Sequence, residues 1–215
     1  LKPFVNHFPS LDNFEKQIIE KQNHPINRKV LVEVLKQQNT NLKLSEKSKR
    51  NIDSLLNKDV FTITTGHQLC LFTGPLYFLY KIISSLNLAE QLQEKFPEKN
   101  FVPVFWMATE DHDFQEINHI HLFGKKIDWD SLQSGSVGRM NLSEFESVLH
   151  ELKSLLGESE NAEKLLNLFE NAYLKHQNLA QATRYLVNEL FGKYGLVILD
   201  GDDKKLKKQF IPIIK

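Results

Sequence analysis

Val60-Phe61-Thr62-Ile63-Thr64 and Phe101-Val102-Pro103-Val104-Phe105-Trp106-Met107 are the two runs whose reading decides the fold. The first is β-branched or aromatic throughout, as suits a strand buried on both faces. The second is equally apolar. Pro103 is expected near a strand start, an edge or a bulge, because it has no N–H to give a ladder. Between the two lie a loop with Gly66 and Gly74, then Pro75 and an apolar-periodic stretch that ends before Pro97. Proline suits the first helical position, where its missing N–H would be unpaired anyway. The order strand, helix, strand is a βαβ unit, which predicts a parallel sheet. Leu196-Val197-Ile198-Leu199 reads as a third buried strand, closing on Asp200-Gly201-Asp202-Asp203. The fold class is therefore α/β, with a parallel core.

Working outward, residues 1–58 read as an N-terminal helical segment. Leu11, Phe14, Ile18 and Ile19 recur at helical spacing behind a cap at Ser10. Val30, Leu31, Val34 and Leu35 make a second stripe, and Ile52, Leu55 and Leu56 a third behind Ser45. Residues 59–130 are the first part of the core, closing with a hairpin of 119–123 and 126–129 around Gly124. Residues 131–194 read as a mainly helical insertion of three helices. The first opens on a capping box from Ser143 to Glu146; the others carry Leu165, Leu166 and Phe169, and then Tyr185, Leu186 and Leu190. Residues 195–215 return to the core.

The chain has 215 residues with 27 Lys plus Arg against 27 Asp plus Glu, so net charge gives no case for nucleic acid or an anionic membrane. A single cysteine, Cys70, rules out an internal disulfide and points to a reducing, cytoplasmic setting. The chain opens Leu1-Lys2-Pro3, and Phe210-Ile211-Pro212-Ile213-Ile214 is expected to lack a packing partner; both suggest a piece of a longer chain.

In open α/β sheets, ligands sit outside the carboxyl ends of the strands, and all three strands finish there in polar clusters. The first is Thr64-Thr65-Gly66-His67-Gln68, continuing to Thr73-Gly74-Pro75, with Lys81 two turns into the helix. Glycines admit close backbone approach, and a helix N-terminus attracts an anion. The plainer reading is a connecting turn and a solvated lysine. Neither a Walker A loop nor a GxGxxG fingerprint is present. The second cluster is Thr109-Glu110-Asp111-His112-Asp113, followed by Asn118. Three carboxylates and an imidazole in four positions suit acid/base work, a metal, or an ammonium. If Thr109 caps a helix, Glu110 and Asp113 share a face. The plainer reading is an acidic first turn, which leaves His112 unexplained. The third cluster, at Asp200, suits ribose hydroxyls or an amine, or simply a turn and cap. His119 and His121 read as a surface strand rather than metal ligands, Cys70 as a core residue, and Lys204 to Lys208 as a solvated helix face; no metal site is assigned.

Thr65-Gly66-His67-Gln68, Leu71-Phe72-Thr73-Gly74-Pro75-Leu76-Tyr77 and Tyr80-Lys81 resemble the bacillithiol biosynthesis enzyme family BshC. So do Val102 to Trp106 running into Glu110-Asp111-His112-Asp113-Phe114, and Glu116-Ile117-Asn118-His119. The opening Phe4-Asn6-His7-Phe8-Pro9-Ser10 and Leu199-Asp200 fit as well. His67 departs from the glutamine more usual there. The resemblance implies a Rossmann-like core similar to class I aminoacyl-tRNA synthetases, in a parent chain roughly twice as long with a coiled coil and a homodimer. It implies a cysteine ligase that joins the cysteine carboxyl to the amine of glucosaminyl-malate. On that reading Thr65, Gly66, His67, Gln68, Thr73, Gly74, Lys81, Asn118 and Asp200 bind substrate or nucleotide. His112 is the candidate base by residue type, with Glu110, Asp111 and Asp113 as the other catalytic candidates beside it, one of which could instead hold the cysteine ammonium. The residues name no cofactor; ATP is a candidate co-substrate for activation. Two rivals stand beside this reading, another adenylate-forming enzyme and a non-catalytic interaction module.

Overall fold

The computed structural model describes residues 2–214; Leu1 and Lys215 lie outside the described residues. Three strands form one parallel sheet in the order β1 (Val60–His67), β2 (Asn100–Met107), β5 (Val197–Asp200). β1 is longer than the periodicity predicts: Gly66 and His67 belong to the strand, paired with Trp106 and Met107. Gly66 is therefore not in the loop. A side-chain carbon added there would press the Trp106 carbonyl at 3.2 Å, so close strand packing calls for glycine. Pro103 lies in the central strand, in the part that β5 does not reach: β5 pairs only with Val104 to Met107.

Helices cover both faces, making three layers. On one face α2 (Arg28–Gln38), α3 (Glu46–Ser54) and α9 (Lys204–Ile214) enclose Val102, Val104, Val197 and Leu199. On the other, α4 (Leu76–Lys95) packs Phe78 and Ile82 on Phe105 and Met107. The alternation along β2 is thus apolar on both faces, as its composition predicts. α1 (Phe14–Gln22) adds a small cluster in which Ile18 meets Leu92 and Phe101.

Between β2 and β5 come α5 (Phe114–Ile117), a hairpin of β3 (His119–Leu122) and β4 (Lys125–Asp128), then α6 (Glu146–Leu156), α7 (Glu160–Tyr173) and α8 (Leu179–Phe191). The hairpin turns on Phe123 and Gly124, both at positive φ, as the favoured two-residue turn requires. It forms a sheet of its own, and its Ile127 and the following Trp129 share one core with the insertion helices and α4.

Four local expectations need correction. Ser10 caps nothing; its hydroxyl accepts from the Asn13 amide, and a single 3₁₀ turn precedes α1. Pro75, at ψ 152°, sits just before α4 instead of inside it. The Ser143–Glu146 capping box is not formed, because Asn141 Oδ1 takes the Ser143 hydroxyl at 2.6 Å. Thr109 caps no helix: α5 begins at Phe114, and Glu110 to Asp113 lie in an irregular loop. Ser45 does cap α3, accepting from Ser48 N–H at 3.0 Å. Ile213 and Ile214 are 78% and 81% exposed, as the sequence leads one to expect.

Gly74 is doubly constrained, by φ of +64° and by a side-chain carbon position only 2.4 Å from Cys70 Cβ. Gly74→Ala should therefore destabilise the fold by about 1–3 kcal/mol, combining left-handed strain with overpacking. Urea unfolding measures this, and a loss below about 0.5 kcal/mol, the usual range for an unconstrained surface site, would contradict it.

Candidate active site at the carboxyl edge of the sheet

The top rung of the sheet runs His67–Met107–Asp200, so the chain leaves all three strands at one edge. The three polar clusters meet there. Gln68, just past β1, donates through Nε2 to Asp111 Oδ2 at 2.9 Å and to Glu116 Oε2 at 2.5 Å. Thr109, just past β2, is buried and gives its hydroxyl proton to Asp200 Oδ1. Asp202 N–H returns to both, at 3.2 Å and 3.0 Å.

Within the acidic cluster the side chains do different things. Asp111 Oδ1 accepts from the backbone N–H groups of His112 (2.7 Å) and Asp113 (3.2 Å), which shapes the loop. The Gln68 hydrogen bond, followed by those backbone donors, holds the Asp111 carboxyl below its ordinary range, so it stays ionised as an acceptor. Glu110, His112 and Asp113 are exposed on that loop. Asn118 is placed differently: it is buried, its amide donating to the Trp129 carbonyl at 3.2 Å and its Oδ1 facing His119 Nδ1 at 3.1 Å. Its side chain closes the hairpin.

The turn after β1 is strained. Phe72, Thr73 and Gly74 all have positive φ, which costs of order 1–3 kcal/mol at each non-glycine position. An aromatic cage holds it: the Phe72 ring meets Phe169 at 4.8 Å and Tyr173 at 5.2 Å, and Phe72 N–H donates to the Tyr173 hydroxyl at 2.8 Å. His67 lies against Tyr77 and Phe78, and burial pushes its pKa down. Lys81 adds to that shift; its ammonium lies 5.2 Å from the Tyr77 ring, in a groove with Thr64 and Thr65. Burial pushes the Cys70 thiol up to about 11, so it is a core group and not a nucleophile at neutral pH. Among the described residues no group of three or more His, Cys, Asp or Glu could hold a metal ion. No helix among them is long and apolar enough to cross a membrane.

The strand-end reading missed Arg184 and Gln38. Arg184, on α8, is buried; it pairs with Asp200 Oδ2 at 3.1 Å and donates to the Gln38 carbonyl at 2.9 Å. Gln38 clamps the Asp200 backbone from both sides, at 2.9 Å and 3.1 Å. A lone arginine inside the apolar stripe of α8 was the available signal.

A three-layer sheet with its polar groups gathered at one carboxyl edge defines a Rossmann-like α/β domain. Residues 1–215 match the family described as "Bacillithiol biosynthesis BshC, N-terminal Rossmann-like domain", and the chain belongs to that family. Two relatives, from Flavobacterium psychrophilum and Flavobacterium johnsoniae, are 56% and 55% identical over all of this chain and 41% of their own length. A third, from Bacillus cereus, is 29% identical over 95% of the chain and 39% of its own. Each carries the name "Putative cysteine ligase BshC". The chain thus spans about two fifths of the length of these curated relatives.

The pH response of His67 has a definite sign. Its folded pKa lies below the ordinary 6.5, so the neutral ring is favoured in the fold. Its stabilising contribution is present above pH 6.5 and is lost as pH falls through the lower folded value. Melting temperature should drop on acidification from pH 7.5 to 5 less in His67→Gln than in the wild type. Parallel profiles would mean that His67 is not the group responsible.

Proposed function

We propose that this chain carries the catalytic edge of a ligase that joins the carboxyl of cysteine to the amine of glucosaminyl-malate. The observation that carries the reading is the Gln68–Asp111 bridge, which ties the turn after β1 to the loop bearing His112. Amide formation from a free carboxylate is uphill in water, so the carboxyl must first be activated, with ATP as the co-substrate. We assign Thr65, Gly66, His67, Gln68, Thr73 and Gly74 to the anionic part of the activated acid, which the free N–H groups at the start of α4 and the Lys81 ammonium would favour. The neutral His67 ring donates or accepts there without adding charge.

The amine must lose a proton as it attacks. His112 is the group for this, with Asp111 as its positioning residue: the two backbone hydrogen bonds to Asp111 Oδ1 set the loop that projects the imidazole. Exposed Glu110 and Asp113 favour an ammonium nearby, as the cysteine amine would be. Asp200 shapes the far side of the same edge. Within the whole protein we place this chemistry in the cytoplasm, in a homodimer, with small-molecule substrates.

Mass spectrometry of full-length protein incubated with cysteine, glucosaminyl-malate and ATP should show the amide product; its absence would overturn the reading. His112→Ala should lower turnover by ~10²–10⁴-fold, the usual loss for a general base. Because His112 is exposed, the melting temperature should hold. Normal turnover in that variant would remove His112 from the reaction.

A further inference from the structure

Tyr173 stands apart from the other buried aromatic side chains of the insertion. Its ring packs among Phe72, Phe145 and Phe169, lying nearly flat on Phe145 with centroids 4.3 Å apart. Only 1% of it is exposed. Packing at that place asks for nothing more than a phenylalanine, and a buried hydroxyl is costly unless it finds a partner. The partner it finds is the Phe72 N–H at 2.8 Å, in the turn after β1. We propose that Tyr173 is a positioning residue for that turn: through its hydroxyl, the helical insertion presets the backbone that receives the anionic part of the activated acid. The assignment rests on the ligase reading and adds to it the group that fixes the geometry at that end of the site.

The turn needs such a group. Phe72 and Thr73 follow each other at φ of 52° and 76°, two non-glycine residues in the left-handed region. Left to itself, this backbone would relax toward the right-handed or extended conformations that L residues prefer. Gly74 N–H closes the turn on the Leu71 carbonyl at 2.7 Å. Among the described residues, the Tyr173 hydroxyl is the one side-chain group that hydrogen-bonds to residues 71–74. Burial pushes the phenol pKa up, so the hydroxyl accepts the amide as a neutral group.

The place of this contact ties it to binding. α4 begins at Leu76, two residues after Gly74, and its first N–H groups have no partner within the helix. The turn therefore sets where the start of α4 lies relative to His67 and Gln68 at the end of β1. A turn already locked loses no conformational freedom when an anion arrives, whereas a loose one must be ordered at a cost in affinity. If only a fraction of molecules hold the turn in its binding form, the apparent affinity falls by that fraction. Tyr173 is the last residue of α7, so the insertion acts on the mouth of α4 through this hydrogen bond.

Tyr173→Phe keeps the ring and removes the hydroxyl. Calorimetric titration of the full-length variant with ATP should show affinity on the order of tenfold weaker than the wild type, because the Phe72 N–H loses its partner. Ile52→Val, in the core on the other face of the sheet, should lower the melting temperature and bind ATP as the wild type does. In turnover, Tyr173→Phe should raise KM for ATP and leave KM for glucosaminyl-malate unchanged, a split that loss of folded protein does not produce. Equal ATP affinity in the wild type and Tyr173→Phe would overturn the proposal. So would a loss shared with Ile52→Val, or no binding of ATP by the wild type. Weaker ATP binding in Tyr173→Phe alone, with no amide product from the wild type, would keep Tyr173 as a positioning residue and remove the ligase reading.

Discussion

Eight consecutive residues of β1 pair in parallel with eight of β2, and the last rungs continue into β5. Everything else depends on this register. β2 is apolar on both faces, so a one-residue slip would exchange the side chains facing α2 with those facing α4. Because the pairing is parallel, the chain must leave every strand at the same edge. That constraint, and not any local preference of the loops, brings Gln68 to Asp111 and Thr109 to Asp200.

The insertion between β2 and β5 is part of the same construction. Its helices share a continuous core with α4 and the sheet. It returns polar groups to the edge at two places: Tyr173 beneath the strained turn after β1, and Arg184 against the end of β5. The edge is therefore built from both directions, by loops that leave the strands and by helices that come back over them.

Much of this was legible in the chain. β2 and β5 stand out because both faces are apolar; β1, read as buried on both faces, is an edge strand and leaves Thr62 and Thr64 exposed, and parallel pairing follows from the helix between β1 and β2. The meeting of the three polar clusters follows from parallel pairing alone. What was not legible depends on competition between near-equal partners. Ser143 had a capping role available, but Asn141 is closer to hand. Gly66 looked like a loop glycine because its need is set by Trp106, a residue of the neighbouring strand. Nothing in the neighbours of Asn118 shows that its amide will bond to the Trp129 carbonyl. The Gln38–Arg184–Asp200 contacts were hidden for the same reason: the three residues come from two helices and a strand far apart in sequence.

The Phe72–Tyr173 contact joins residues 101 positions apart. On a ribosome, which releases the chain from its N-terminal end, β1, β2 and α4 emerge long before Tyr173. The parallel pair can form early, but the turn at Phe72 and Thr73 has nothing to hold it in its left-handed conformation until α7 arrives. The nascent domain therefore passes through a stage in which the sheet exists and the mouth of α4 is still unset. Chain growth itself delays the moment at which this edge can be complete.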